Sequence, residues 1–429
     1  MSFSHARSEE LLERALKSIP LGTQTFSKSP TQYPLGVSPY FIQRGRGSHV
    51  WDVDGNEYVD FVNALNAITL GYCDPDVDAA VAAQLAEGTV FSLAHPIEID
   101  VAEAIIEMVP CAEMVRYGKN GSDATSGAIR LARGYTGRDH VATCGYHGWQ
   151  DWYIGATSRN LGVPAAVSAL THPFRYNDLD SLKEVLDSRP GQFAAVIMEP
   201  MNSVYPEDGF LEEVRELTHA AGALLIFDET ITGFRFANGG AQELFGVTPD
   251  LATFGKGLAN GYPLAAVTGR ADVMHLMEEV FFSFTFGGET LSLAAAKATL
   301  AKLRREPVAE QLATMGERVR SGVTEVLERH GATDLISISG HPSWTFLNFS
   351  GRDCYTQWDV KTLFLQEMID RGILILTTHN MSYSHSDAEV AKVVAAWDEV
   401  VPILLDAVDN GRMEQLLRCE PIVPLFKLR

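Results

Sequence analysis

Between about residues 61 and 300, helical stretches alternate with short runs that are apolar along most of their length: AAVIMEP (194–200), ALLIFDE (223–229), LATFGKG (251–257) and PLAAVTG (263–269). A strand exposed on one face would alternate polar and apolar residues. These runs do not, so they are expected to be covered on both faces, as in a largely parallel α/β sheet with helices on either side. Beyond residue 290 the texture changes. An Ala/Leu/Lys helix over 290–305 leads to helices over 308–330 and 357–371 and a strand at TFLNF (345–349), which predicts a smaller α+β domain. Ahead of the sheet come a helix over 8–17, a Pro-rich arm without periodicity (GTQTFSKSPTQYPLG, 22–36) and a hairpin, HVWDVDGNEYVDF (49–61), turning at Asp54-Gly55. Arms of that kind often cross to a partner subunit. The expected division is 1–60 as arm and hairpin, 61–305 as the large sheet domain and 306–429 as the C-terminal small domain. No internal repeat or low-complexity stretch interrupts this plan.

Charge narrows the function. With 55 acidic against 34 basic residues the formal charge is -21, which repels phosphate backbones and anionic bilayers, so neither a nucleic acid nor a membrane is an expected partner. The five cysteines (Cys73, Cys111, Cys144, Cys354, Cys419) are scattered and form no C-x-x-C pair. They read as reduced thiols, with no metal site. The start, MSFSHARSEELLERALKSIP, is charged and helical in pattern rather than an apolar signal core, and a cytoplasmic location is the default expectation.

In an open parallel sheet, ligands gather at the carboxyl ends of the strands. Three of the runs end there in ionisable residues: Glu199, then Asp228 with Glu229, then Lys256. An acid and a lysine on separate strand ends admit two readings. One is a partly buried ion pair, Asp228 with Lys256. The other is an amine kept from bulk water so that it condenses with an aldehyde, while the acid holds a protonated heterocyclic nitrogen. The glycines flanking Lys256 are expected to let the strand end turn sharply and a cofactor approach the backbone. Gly255, Gly257 and Gly261 are spaced G-x-G-x-x-x-G late in the sheet, which is not the dinucleotide fingerprint.

Two further segments bear on the choice. NGSDATSGAIRLARGYTG (120–137) opens a helix after an Asn-Gly turn, and the free N–H groups near Gly121, Ser122 and Asp123 attract an anion, most often phosphate. CGYHGWQDWY (144–153) clusters Tyr146, His147, Trp149 and Trp152 after the strand HVATC. Taken alone, each is an ordinary helix cap or core aromatic group. Together they supply an amine (Lys256), a carboxylate (Asp228), an aromatic face (Tyr146) and an anion cradle (Gly121, Ser122). That set fits pyridoxal 5'-phosphate.

SHVWDVDGNEYVDF, AIRLARGYTGRDHV, GYHGW, FDETITGFR and FGKGLANGYPLAA resemble the class III, fold-type I pyridoxal-phosphate aminotransferases, and within them most nearly the glutamate-1-semialdehyde aminomutases. The likeness runs from about residue 15 to 405. It implies a large, mostly parallel α/β/α sheet domain and a small α+β domain built from the N- and C-terminal segments. It also implies a Schiff base on Lys256, Asp228 against the ring nitrogen, Tyr146 stacked on the ring and Gly121-Ser122 on the phosphate. His147, Glu199 and Asn202 match positions near the ring. Thr285, in FTFGGET, matches a threonine given to the neighbouring subunit's phosphate, which implies a homodimer with the site at its interface.

Departures from the family pattern bear on substrate. Val204 stands where ornithine- and GABA-type members carry an acid, and TTHNMSYSH (377–385) lacks their later arginine, so their arginine switch is not expected. Lys28 stands where aminomutases place a carboxylate-binding arginine, a point charge in place of a bidentate fork. Leu65 replaces an aromatic residue, and the stretch 154–173 differs from the aminomutase gate that retains an intermediate during intramolecular exchange. The leading expectation is therefore transfer of an amino group from a small-molecule donor to an aldehyde or ketone acceptor, through a pyridoxamine phosphate form. The alternatives are an intramolecular aminomutase, a racemase or epimerase, and a non-catalytic scaffold.

Overall fold

The computed structural model describes residues 3–423, so the last positions of the expected C-terminal domain, 424–429, lie outside the described residues. The chain divides into two compact units at Asp74/Pro75 and Glu310/Gln311, with the N- and C-terminal segments sharing one unit.

The N-terminal segment of that unit holds α1 (Ala6–Leu16), β1 (Ile42–Arg46), β2 (His49–Asp52) and β3 (Glu57–Asp60). Strands β2 and β3 form the expected hairpin about Asp54-Gly55. Asp54 also caps a helix: its carboxylate accepts from the N–H groups of Arg7 (2.8 Å) and Ser8 (2.9 Å), two of the donors that α1 leaves unmatched in its first turn. The Pro-rich arm folds into short 3-10 turns, Phe26–Lys28 and Pro30–Gln32 among them.

The unit from Pro75 to Glu310 contains α2 (Pro75–Glu87), α3 (Ile97–Met108), β4 (Met114–Gly118), α4 (Gly121–Thr136), β5 (His140–Cys144), β6 (Thr171–Pro173), α5 (Leu179–Asp187), β7 (Phe193–Met198), α6 (Phe210–Ala220), β8 (Leu224–Asp228), β9 (Leu251–Phe254), β10 (Ala265–Gly269) and α7 (Thr290–Arg305). Its sheet has the order β4-β10-β9-β8-β7-β5-β6. Alternate residues enter separate clusters: Ala195 and Ile197 of β7 with Leu224 and Ile226 of β8 on one face, Val196 and Met198 with Leu225 and Phe227 on the other. That is why these strands read as unbroken apolar runs.

The sheet is mostly parallel, as expected, with one strand running the other way. PLAAVTG becomes β10, which runs antiparallel to both β9 and β4. Only residues 255–264 separate β9 from β10, too few for a parallel crossover, so the chain turns back on itself. The reversal brings the start of β10 beside the carboxyl ends of β9 and β4, with Ala266 opposite Phe254 and Ala265 opposite Gly118. The ends of β4, β5, β7, β8 and β9 and the start of β10 thus share one edge of the sheet.

The chain beyond Gln311 supplies most of α8 (Val308–His330), then β11 (Ile336–His341), β12 (Trp344–Phe349), α9 (Gln357–Asp370), β13 (Ile373–Leu374), β14 (Thr378–Asn380) and α10 (Asp387–Asp409). Strand β13 pairs parallel to β3 in the order β1-β2-β3-β13, which joins the terminal segments in one sheet, and β11-β12-β14 form a second. Val50, Tyr58, Ile369 and Leu374 make a shared core. Leu65 lies in a left-handed turn: Asn63, Ala64, Leu65 and Asn66 have φ of 46°, 49°, 62° and 68°. A conformation unfavourable to L-residues is held there by Asn63 Nδ2 donating to the Asn380 carbonyl and Asn380 Nδ2 donating to that of Val62.

Candidate active site

Asp228 closes β8 and is buried with its acceptors filled. Its Oδ1 takes the main-chain N–H of Thr230 (3.1 Å) and the hydroxyls of Thr230 (2.6 Å) and Thr253 (3.1 Å), while Oδ2 faces Nδ1 of His147 at 2.8 Å. Burial pushes the carboxyl pKa up, but the His147 hydrogen bond, the His147 charge and the Thr230 donors together outweigh it, so Asp228 sits below its ordinary value. Thr253 reaches Asp228 because it is its register partner on β9.

Lys256 follows β9 and forms no hydrogen bond or ion pair of its Nζ among the described residues, which sets aside the ion-pair reading. Burial pushes its amine down to about 8, against the pull of the Glu199 and Asp228 charges. Its backbone is in the left-handed region, φ 43°, a strain of about 1–2 kcal/mol for a residue with a Cβ. The expectation that the flanking glycines provide the turn is therefore corrected: Gly255 is extended at φ -172°, and Lys256 itself carries the left-handed bend. What Gly255 provides is room. A Cβ there would stand 3.3 Å from Thr230 Cγ2 and 3.9 Å from the Cα of Gly121.

That approach brings the start of α4 beside the lysine loop. Asn120 caps the helix, accepting from the Asp123 N–H at 3.1 Å, while Asp123 accepts from the Asn120 N–H at 3.1 Å. The cap leaves the N–H groups of Gly121 and Ser122 without a partner among the described residues. Ser122 is buried, and its Oγ accepts from the Trp149 N–H at 3.2 Å. Gly148 permits this: at φ 103°, a Cβ on it would fall 2.1 Å from Ser122 Oγ.

Tyr146 is 47% exposed and meets the Tyr153 ring at 88° with 5.7 Å between centroids; its main-chain N–H donates to Glu199 Oε2 at 3.0 Å. Asn202 donates to the same oxygen at 2.8 Å. Burial first, then the charge of Asp228, raises the Glu199 carboxyl pKa. His147 is buried between Asp228 and the Cys144 carbonyl, 3.2 Å from its Nε2. Glu229, which also ended an apolar run, serves another purpose: it accepts from the N–H groups of Ala241 (2.7 Å) and Gln242 (2.9 Å) at the start of a short helix.

Of the residues expected at the site, Gly121, Ser122, Tyr146, His147, Glu199, Asn202, Asp228 and Lys256 gather at this sheet edge. Thr285 does not join them within the chain; it lies on an exposed stretch with Phe281, Phe284 and Phe286. Lys28 belongs to the other unit, where it is exposed and lines a cavity of about 370 Å³ with Tyr33, Asp60 and Tyr72. Burial pushes the Asp60 carboxyl pKa up, opposed by the Tyr72 hydroxyl, the N–H groups of Asn63 and Val62, and the Lys28 charge. Sequence reasoning did not single out Thr230 or Thr253. Thr230 was legible in principle, as a hydroxyl residue two places past a strand-ending acid; Thr253 depends on a register that only the folded sheet shows.

A largely parallel sheet whose carboxyl edge carries an unpaired amine, an ionised acid and open N–H groups defines the class. Residues 32–393 match the family model described as aminotransferase class-III. The chain belongs to the class III aminotransferase family, and it is a pyridoxal-phosphate-dependent enzyme. Among its relatives, it is 37% identical over 401 residues to the 3-aminobutyryl-CoA aminotransferase of Cloacimonas acidaminovorans (strain Evry), covering 91% of this chain and 95% of that one. It is 38% identical over 396 residues to the glutamate-1-semialdehyde 2,1-aminomutase of Syntrophobacter fumaroxidans (strain DSM 10017 / MPOB), covering 86% and 90%. Among solved structures, the FumI protein of Sphingopyxis sp. MTA144, in its pyridoxal-phosphate internal aldimine form, superposes with a TM-score of 0.88 at 28% identity over 97% of this chain and 99% of that one.

The residues present fit the cofactor. A buried amine without a partner, an ionised carboxylate, two N–H groups left open at a helix start and a glycine where a Cβ would crowd the space are the donor set that a phosphorylated pyridine aldehyde requires.

Proposed function

We propose that the protein transfers an amino group between two small molecules, with Lys256 and Asp228 as its catalytic residues. The observation that carries the assignment is the Lys256 amine, enclosed, unpaired among the described residues, and lowered to about 8 near an ionised Asp228. Bound pyridoxal phosphate supplies an aldehyde carbon that takes the amino group and a ring that accepts the electron pair left when a neighbouring C–H proton departs.

The chain's own residues do the rest. Lys256 Nζ would hold the cofactor's aldehyde carbon and, as a buried amine, would carry a proton as general acid and base. Asp228 keeps the ring nitrogen protonated. The N–H groups of Gly121 and Ser122, aided by the positive end of α4, hold the phosphate. Tyr146 would cover one face of the ring, with Glu199 and Asn202 beside it. Lys28 is assigned to a substrate carboxylate.

Thr285 is assigned to a second copy's phosphate, so the working form is a homodimer. Phe281 (79% exposed) and Phe286 (58%) flank it, and apolar rings on that stretch suit burial against a partner. Molar mass by light scattering tests this: a monomer at working concentration rejects it. A cytoplasmic location accords with five unpaired cysteines. Among the described residues, no helix is long and apolar enough to cross a membrane.

Lys256→Ala tests the chemical assignment. The variant is expected to fold, lose the visible band of bound cofactor and lose turnover; turnover at the parent rate would reject it. The donor panel includes 3-aminobutyryl-CoA and glutamate 1-semialdehyde, because two relatives carry those names.

A further inference from the structure

We propose that Phe282 and Arg130 are positioning residues that strap the loop carrying Thr285 to one face of α4, so that the strap of one chain sets cofactor affinity in the partner's site and not in its own. This rests on the reading above that Thr285 serves a second copy's phosphate.

The loop is anchored on both sides of Thr285. On the amino side, Arg130 Nη1 donates to the Phe281 carbonyl at 2.9 Å and Arg116 Nη2 to that of Phe282 at 3.3 Å. The Phe282 ring lies against Gly127 and Gly118: a Cβ on the first would stand 3.1 Å from Phe282 Cε2, and one on the second 3.6 Å from Cζ. On the carboxyl side, Lys119 Nζ meets Glu289 Oε2 at 3.1 Å, and Glu289 accepts from the N–H groups of Leu291 (2.7 Å) and Ser292 (3.2 Å) at the start of α7. Arg116, Gly118, Lys119, Gly127 and Arg130 all belong to β4, α4 or the link between them. Between the two sets of anchors, Phe284, Thr285 and Phe286 stand exposed.

The sequence of α4 is fitted to this contact. Glycine inside a helix weakens it, so a mid-helix glycine calls for a packing reason. Gly127, Arg130 and Gly134 share one stripe of the helix, at i, i+3 and i+7. A Cβ on Gly134 would lie 3.6 Å from Val280 Cγ2, so residues 280–282 run along that stripe. The same helix opens with the N–H groups of Gly121 and Ser122, the cradle for this chain's own phosphate. One rigid element therefore fixes two phosphate contacts, its own cradle directly and, through the strap, the hydroxyl sent to the partner. A loop without the strap would have to be ordered each time the hydroxyl engages, and that entropy would weaken binding at the partner's site.

Hybrid dimers made by co-expressing two differently tagged chains separate the two sites. A helper chain carries Lys256→Ala and a reporter chain keeps Lys256, so borohydride reduction fixes the cofactor to the reporter alone. Intact mass of the reporter across a pyridoxal phosphate titration then reads its affinity. Phe282→Ala in the helper is expected to weaken that affinity by about tenfold, and Arg130→Met, which leaves the ring packing in place, by about threefold, as for a misplaced hydrogen bond to a charged group. The same substitutions in the reporter should change it by less than about twofold. No loss from the helper's substitutions, or an equal loss from either chain, would overturn the proposal, equal loss being the mark of a general structural role. If Phe282→Ala fails to fold, Arg130→Met decides. Thr285→Val in the helper isolates the underlying reading: if it leaves the reporter unchanged, or if the parent chains form no dimer, the role given to Thr285 falls. An effect of Thr285→Val without one from the strap variants removes this proposal alone.

Discussion

At the scale of single residues, the site is organised by what is left unpaired. Asp228 has its partners in His147, Thr230 and Thr253, so Lys256 is not tied to it. The consequence is kinetic. An amine with a pKa near 8 is neutral far more often at physiological pH than an ordinary lysine at 10.5, and only the neutral form attacks a carbonyl. Uptake of pyridoxal phosphate by the cofactor-free protein should therefore speed up with rising pH through a midpoint near 8, read by stopped-flow absorbance; a midpoint near 10.5 would show that burial does not act on the amine. Gly148→Ala should be severe, because its Cβ would meet Ser122 Oγ at 2.1 Å in a left-handed backbone. Cofactor affinity should fall by about tenfold or more while the fold survives, since the clash shifts the helix start that carries the open N–H groups. Affinity equal to the parent's would show that the loop relaxes without moving α4.

At the scale of elements, much was legible and its limits are instructive. The runs ending in Glu199, Asp228 and Lys256 could be read because doubly covered strands have no polar face, and helix α7 was placed by its composition. The antiparallel course of β10 was hidden, because apolar runs look alike in either direction and only the short link of 255–264 separates the cases. The bond between His147 and Asp228 was hidden for another reason: it joins positions 81 residues apart, a loop residue just past β5 and the end of β8, which the sheet order brings to the same edge with β7 between them. The left-handed turn at Asn63–Asn66 contains no glycine to announce it. Asp54 shows one residue serving two elements, hairpin turn and helix cap, of which the pattern revealed only the first. Asp54→Ala should cost about 1 kcal/mol by removing both acceptors from the start of α1, measured by chemical denaturation. No change would mean that water replaces the cap freely.

At the scale of the whole molecule, the two units should differ in their response to acid. His379 and His385 are fully buried in the unit built from the terminal segments, and burial pushes them down from 6.5 to about 3 and about 4. Both remain neutral when folded, whereas the unfolded chain takes up protons below 6.5. Their stabilisation is present above 6.5 and is lost as pH falls toward 4, at roughly 2 kcal/mol each by pH 5. Calorimetry between pH 8 and 5 should show a falling transition temperature, earliest in that unit; a constant one would contradict the burial argument. The formal charge of -21 bears on partners in the same way, favouring small molecules over nucleic acid.

The most direct test of the central claim is the visible absorption spectrum of the purified, cofactor-loaded protein as amino donors are added one at a time without an acceptor. An aminotransferase bearing its cofactor on Lys256 should show a visible band that one donor bleaches and an oxo acceptor restores. A band that persists through every donor, or no band even with added pyridoxal phosphate, would contradict transfer between two substrates.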